Sequence, residues 1–139
     1  MYSLKSECSF DAAHFLTDYK GSCENLHGHR WRVVASIQSE KLPNEGESRD
    51  MLVDFALFKS DLKEVCSSYD HTFIVEDGSL KQETINALKS ETFKLKVVPW
   101  RTTAENFAMH IFRELCLFGY DVSYVKVYET PNNCAVYSK

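Results

Sequence analysis

The chain has 139 residues, 44% hydrophobic and 26% charged, which suits a single domain over 1–139 with one continuous core and leaves too little for a second. With 16 Lys and Arg against 20 Asp and Glu, the formal net charge of -4 excludes the basic footprint of non-specific nucleic-acid binding, so any phosphate it binds should sit on a small molecule. The opening MYSLKSECSF alternates in polarity and lacks the basic start and apolar run of a signal peptide, and no segment approaches a membrane span, so a cytoplasmic location is expected.

From Tyr2 to His14 the even positions (Leu4, Cys8, Phe10, Ala12) are mostly apolar and the odd ones polar, the period-2 pattern of a strand with one buried face. His14 closes that face. A turn-rich stretch from Thr17 to Asn25 leads to a second strand, in which Trp31, Val33, Ala35 and Ile37 share a face with His27 and His29. Residues 39–50 read as a solvated loop. Asp54 then offers a cap to a helix whose core stripe is expected to be Phe55, Phe58, Leu62, Val65 and Cys66. The segment 77–99 suggests a short helix around Glu83 to Lys89 and a strand from Lys94 to Val98. Thr102 and Glu105 have capping-box spacing, and Ala104, Phe107, Ala108, Ile111, Phe112 and Leu115 recur at helical intervals up to Gly119. Val122 to Glu129 and Cys134 to Tyr137 read as strands around a Thr-Pro-Asn-Asn turn. The order predicts an α+β domain built on a four-stranded, mainly antiparallel sheet with helices packed on one face. Its open edges favour oligomerisation.

Chemistry concentrates in a few places. His27 and His29 flank Gly28, so on extended backbone both imidazoles project to one face, and His14 on the neighbouring strand supplies a third nitrogen. Three neutral imidazoles suit Zn²⁺ with a fourth position open to substrate; the bland reading of the HxH pair is core packing. Cys23, in a polar loop four residues before His27, is either a thiol activated by a nearby cation or imidazole or an inert cysteine. Cys8, Cys66, Cys116 and Cys134 read as packing residues, without the paired spacing of a disulfide framework. Asp70 and His71 form a carboxylate–imidazole relay only if the backbone turns there; otherwise they are a solvated pair at a helix end. Glu129 shares the parity of Val125 and Val127, so its carboxylate faces inward and needs a partner, either a basic side chain or a heterocycle with adjacent N–H donors. Helix capping alone accounts for Thr102 and Glu105. His110 reads as a solvated surface histidine.

Six pieces in this order, FDAAH ending at His14, CENLHGH over 23–29, LVDF over 52–55, YDH over 69–71, TTAEN over 102–106 and YETPNN over 128–133, resemble the 6-pyruvoyltetrahydropterin and 6-carboxytetrahydropterin synthase family. The resemblance spans almost the whole chain. It implies His14, His27 and His29 as zinc ligands, Cys23 as the catalytic thiol, Asp70 and His71 as the accompanying proton relay, and Glu129 as the anchor of the pterin ring, with Thr102, Thr103 and Glu105 also at the substrate. It further implies the tunnelling fold (T-fold), whose sheets assemble into an oligomeric barrel of three or six chains with active sites at subunit interfaces. Three residues between Cys23 and His27 resemble the carboxy-forming branch of the queuosine pathway. The implied reaction converts 7,8-dihydroneopterin triphosphate into 6-carboxy-5,6,7,8-tetrahydropterin, acetaldehyde and triphosphate.

Rival readings are triphosphate elimination to 6-pyruvoyltetrahydropterin, side-chain cleavage in the service of folate synthesis, and a metal-dependent pterin-binding protein without catalysis. Arg30, Arg49 and Arg101 are unranked candidates for the triphosphate. The chain departs from commoner family forms at Arg101, where Pro is usual before TTAEN, and in the long stretch 77–99.

Overall fold

The computed structural model describes residues 1–139. Two 13-residue strands form its spine: β1 (Tyr2–His14) and β2 (His27–Ser39) pair antiparallel along their whole length, from Tyr2 opposite Ser39 to His14 opposite His27. On the far side of β2 lie β5 (Val122–Thr130) and β6 (Asn133–Ser138), both antiparallel. These four strands are the sheet expected from the sequence, but it is wider than that expectation. Two short strands, β3 (Thr72–Glu76) and β4 (Leu95–Val98), join the β1 edge in parallel. The result is a six-stranded mixed sheet in the order β4-β3-β1-β2-β5-β6. Strands of four or five residues lack the length for a clear alternation, and parallel pairing across a helical crossover carries no local turn signal, which is why the count of four fell short.

Helices α1 (Phe55–Ser67) and α3 (Ala104–Leu117) cover one face, α1 against β1 and α3 against β5 and β6, while α2 (Gln82–Ser90) buries no residue. The Asp54 carboxylate caps α1, accepting from the backbone N–H groups of Ala56 and Leu57, a contact of about 1 kcal/mol. Phe58, Leu62, Val65 and Cys66 form its buried stripe. Phe55 does not join them: at the first helical position it stays 72% exposed. On α3 the cap is Thr103, whose hydroxyl accepts from the Asn106 N–H, and not Thr102 as the capping-box spacing suggested. The Thr102 side chain is already bound to Phe15 and His14. Past the helix, Gly119 adopts φ +94, the left-handed conformation a C-terminal turn requires.

Beneath the β1–β2 ends lies an aromatic base. Trp31 stands 4.7 Å from Phe107 and Phe10 5.5 Å from Tyr69, ring centre to ring centre, all four fully buried. Clustered rings of this size bury large apolar area and hold one arrangement, so the histidines above stand on a stiff floor. Cys8 and Cys66 meet where α1 crosses β1, a pairing that their 58-residue separation concealed. Cys23, Cys116 and Cys134 are free thiols.

Candidate metal centre and active site

Register brings the three histidines together. His14 lies directly opposite His27, and His29, two residues further on, pairs with Ala12, so all three rings gather on one face of the β1–β2 ladder. Their ligand atoms lie within 4.8 Å of one another. Gly28 between the two β2 histidines lies over the β1 backbone, where a Cβ would meet the Ala12 carbonyl at 3.5 Å.

Backbone carbonyls set the tautomers. The Nδ1 of His14 lies 2.8 Å from the Thr102 carbonyl, and the Nδ1 of His27 lies 2.7 Å from the Asn25 carbonyl. A carbonyl can only accept, so each Nδ1 carries the proton and each Nε2 presents a lone pair. The Nε2 atoms of His14, His27 and His29 are all buried without a partner. Three orphaned inward-facing nitrogens at one point are unexplained by packing and fit a zinc ion, whose histidine ligands are ordinarily oriented by such outer hydrogen bonds.

Electrostatics agrees. Burial, reinforced by His27 and His29 against the pull of the Thr102 carbonyl, lowers His14 from 6.5 to about 4. Burial and then His27 lower His29. Neutral His14 makes no ion pair with the Glu129 carboxylate 3.7 Å from its Nε2. The metal-free protein should therefore be acid-sensitive in a defined window. Above pH 6.5, His14 is neutral whether folded or unfolded. Between pH 6.5 and about 4 the unfolded chain takes up a proton that the folded chain refuses, so stability falls with pH by about 3 kcal/mol. Urea unfolding midpoints of the metal-free protein from pH 7 to 4 measure this; a level profile would show that His14 is not held neutral.

Glu129 reaches the cluster through an irregularity. The β5–β6 register shifts between Tyr128 and Thr130, leaving Glu129 as the extra residue of a bulge, a device that re-aims a side chain. Its carboxylate is half-buried, and its pKa is raised by burial, with His27 opposing and Glu105 adding to the rise.

The turn that Asp70 and His71 need is present. His71 takes φ +55, its Nδ1 lies 2.9 Å from the Asp70 carboxylate, and the two residues are clamped to β1 at Asp11. There the Asp11 N–H donates to Asp70 and the Asp11 carbonyl accepts from the His71 N–H. The Asp11 N–H, then His71, lower the Asp70 pKa, so the carboxylate stays charged and accepts from His71 Nδ1, leaving Nε2 free.

Three cavities run past the cluster. The first, about 600 Å³, holds His71 and His29 over an apolar floor including Phe73 and Phe93. A second, about 450 Å³, holds His29 and Glu129. The third, about 370 Å³, holds Glu129, Thr103, Glu105 and Arg101. His29 and Glu129 thus link all three. Cys23, half-buried in a 3-10 turn at Ser22–Glu24 whose loop is closed by the Leu16 N–H on the Cys23 carbonyl, lines none of them. Thr102 is buried behind His14 and lines none of these three cavities; its hydroxyl donates to the Phe15 carbonyl and lies 3.2 Å from His14 Nδ1. Its part in orienting His14 was not readable from the sequence, where only the TTAEN resemblance marked it. His110 is not the solvated histidine expected: its ring stacks on Trp100 at 4.6 Å, and burial, then Arg113, lower its pKa.

A mixed sheet backed by helices on one face, carrying three histidines whose unpartnered Nε2 atoms gather at one place, defines a metal-dependent protein with the zinc-type His₃ centre. Residues 3–139 match the family model described as 6-pyruvoyl tetrahydropterin synthase, and the chain belongs to that family. It is 34% identical over 148 residues to the 6-carboxy-5,6,7,8-tetrahydropterin synthase of Haemophilus influenzae, covering all of both chains. It is 33% identical over 140 residues to the enzyme of the same name from Rickettsia felis, covering 95% and 96%. Among solved structures, an uncharacterized protein of Wolinella succinogenes superposes with a TM-score of 0.76 at 23% identity, over 99% of this chain and 98% of that one. The 6-pyruvoyl tetrahydropterin synthase of Caenorhabditis elegans gives 0.70 at 24%, over 99% and 95%. These two likenesses establish the fold. No helix is long and apolar enough to cross a membrane.

Proposed function

We propose that the protein is a zinc-dependent 6-carboxy-5,6,7,8-tetrahydropterin synthase, a lyase of the queuosine pathway that converts 7,8-dihydroneopterin triphosphate and water into 6-carboxy-5,6,7,8-tetrahydropterin, acetaldehyde and triphosphate. The observation that carries this reading is the cluster of His14, His27 and His29 beside a half-buried Glu129, in a chain matched end to end by relatives bearing that name. The three-residue spacer between Cys23 and His27 favours this branch over triphosphate elimination to the pyruvoyl product.

Held by the three histidines, zinc supplies Lewis-acid polarisation of oxygens on the substrate side chain. The other steps fall to the chain's own residues. Glu129 accepts from adjacent N–H groups of the pterin ring and fixes its orientation, so that the side-chain carbons meet the proton-moving groups. Asp70 fixes the tautomer of His71, whose free Nε2 exchanges protons with a side-chain carbon, and the Cys23 side chain does the same at another face. Thr103 and Glu105 border the ring near Glu129. Because Cys23 and His71 are not gathered around one cavity of a single chain, the complete site is assigned to subunit interfaces of a trimer or dimer of trimers, and native mass measurement should return a multiple of three. The assembly is placed in the cytoplasm, where its pterin substrate is a small soluble molecule.

The Glu129 assignment has a direct consequence. Glu129→Gln keeps the shape but removes the charge from two ring contacts; hydrogen bonds to charged groups contribute about 1.5–3 kcal/mol, so KM should rise roughly 10–100-fold. Zinc content should stay unchanged. Steady-state kinetics with parallel metal analysis separates this from loss of the metal site.

The deciding experiment is incubation of the zinc-loaded protein with 7,8-dihydroneopterin triphosphate, with mass analysis of the pterin and an assay for acetaldehyde. The 6-carboxylate with acetaldehyde bears the proposal out. A 6-pyruvoyl product without acetaldehyde would move the protein to the other branch, and unchanged substrate would remove the enzymatic reading.

A further inference from the structure

The three arginines that the sequence left unranked as partners of an anionic tail differ sharply in their surroundings. The Arg30 side chain is 71% exposed and paired with Asp11 at 3.1 Å. Arg49, in the loop between β2 and α1, is 69% exposed and 3.8 Å from Asp50. Arg101 is half-buried and has no carboxylate partner. Its Nη2 donates to the Thr17 carbonyl, which pins the guanidinium plane, and its Nε is buried without any acceptor. The Arg101 carbonyl is in turn held by the Asn106 side chain in the first turn of α3.

A guanidinium held by one carbonyl and paired with no carboxylate keeps its charge uncompensated, and an anion entering the cavity that Arg101 lines compensates it. Arg101 is also the only cation lining the cavity that holds Glu129 and Glu105. Both of those carboxylates line the same cavity, so without Arg101 its charge would be wholly negative and it would repel a polyanion. With it, the cavity combines two carboxylate acceptors with one fixed cationic donor. That pattern matches a ligand with N–H donors at one end and an anionic group on its tail.

Resting on the pterin reading above, we propose that Arg101 receives a phosphate of the substrate side chain and makes the site selective for phosphorylated over unphosphorylated pterins. Where a site is built to hydrogen-bond a group, the analogue lacking that group leaves the buried donor unpaired and is rejected. Arg101 is a specificity-determining residue in this assignment, fixed by Thr17 and the start of α3.

Equilibrium binding tests it without turnover. Neopterin and neopterin triphosphate, fully oxidised and unreactive, are titrated by pterin fluorescence into the zinc-loaded native protein and into Arg101→Met, Arg101→Lys and Arg49→Met. The native and Arg49→Met proteins should bind the triphosphate more tightly than neopterin. In Arg101→Met that preference should shrink roughly 10-fold or more, with neopterin affinity unchanged, and Arg101→Lys should restore part of it. An intact preference in Arg101→Met, or equal weakening of both ligands, would overturn the assignment, the latter by showing a structural role only. Failure of the native protein to bind neopterin at all would overturn the pterin reading, and this one with it.

Discussion

Replacing His14 with alanine should strip the protein of zinc. Loss of an outer partner of a metal-binding histidine typically costs 10–100-fold in affinity, and removal of the ligand itself should cost more. His14 is also the most buried of the three and the one whose tautomer is doubly supported, by the carbonyl and hydroxyl of Thr102. Chelator competition should show zinc affinity reduced by more than about 100-fold, with turnover abolished. The same variant carries an internal control. Without the imidazole there is no group at this position to resist protonation, so the acid-sensitive window between pH 6.5 and about 4 should shrink in the metal-free protein to what His29 contributes. Zinc retained at one ion per chain in a folded His14→Ala protein would remove His14 from the ligand set.

Replacing Cys23 with alanine should instead silence the chemistry and spare the metal. A positioned proton-transfer group typically contributes 10²–10⁴-fold to the rate, so kcat should fall by about that factor. Cys23 lies outside the His14–His27–His29 cluster, and its backbone carbonyl, which closes the loop with Leu16, survives the substitution. Zinc content and pterin binding should therefore match the native protein. Turnover within a few-fold of native would end the role assigned to the thiol and leave His71 as the proton-moving group.

These two expectations draw on features of different legibility. The histidine triad was readable because strand periodicity is local. Even parity in β1 placed His14 on the buried face, and the two-residue step placed His27 and His29 together. Only register makes His14 face His27, and register follows from 13 consecutive pairs that no short motif encodes. The Asp70–His71 pair shows the opposite case. Neighbours on extended chain diverge, and they cooperate here because His71 sits at φ +55 and both residues are held by Asp11, on a strand 59 residues before Asp70. For Glu129, parity predicted an inward carboxylate, but the bulge between Tyr128 and Thr130 decides its exposure to the site.

By itself, then, the sequence determined the long strands, the caps at Asp54 and Gly119, the α3 stripe and the shared face of His27 and His29, because each depends on spacing along a few turns or pleats of one backbone, whereas His14 joined them as a metal ligand through the family resemblance and the β1–β2 register. Tertiary structure decided the parallel β3 and β4 edge, the transfer of the α3 cap to Thr103, the service of Thr102 to His14 and the isolation of Arg101. In each of these a polar group or short strand is assigned by whichever distant partner satisfies it. Such partners, Phe15 for Thr102 and Thr17 for Arg101, lie more than 80 residues away along the chain and become neighbours only when the sheet closes against α3.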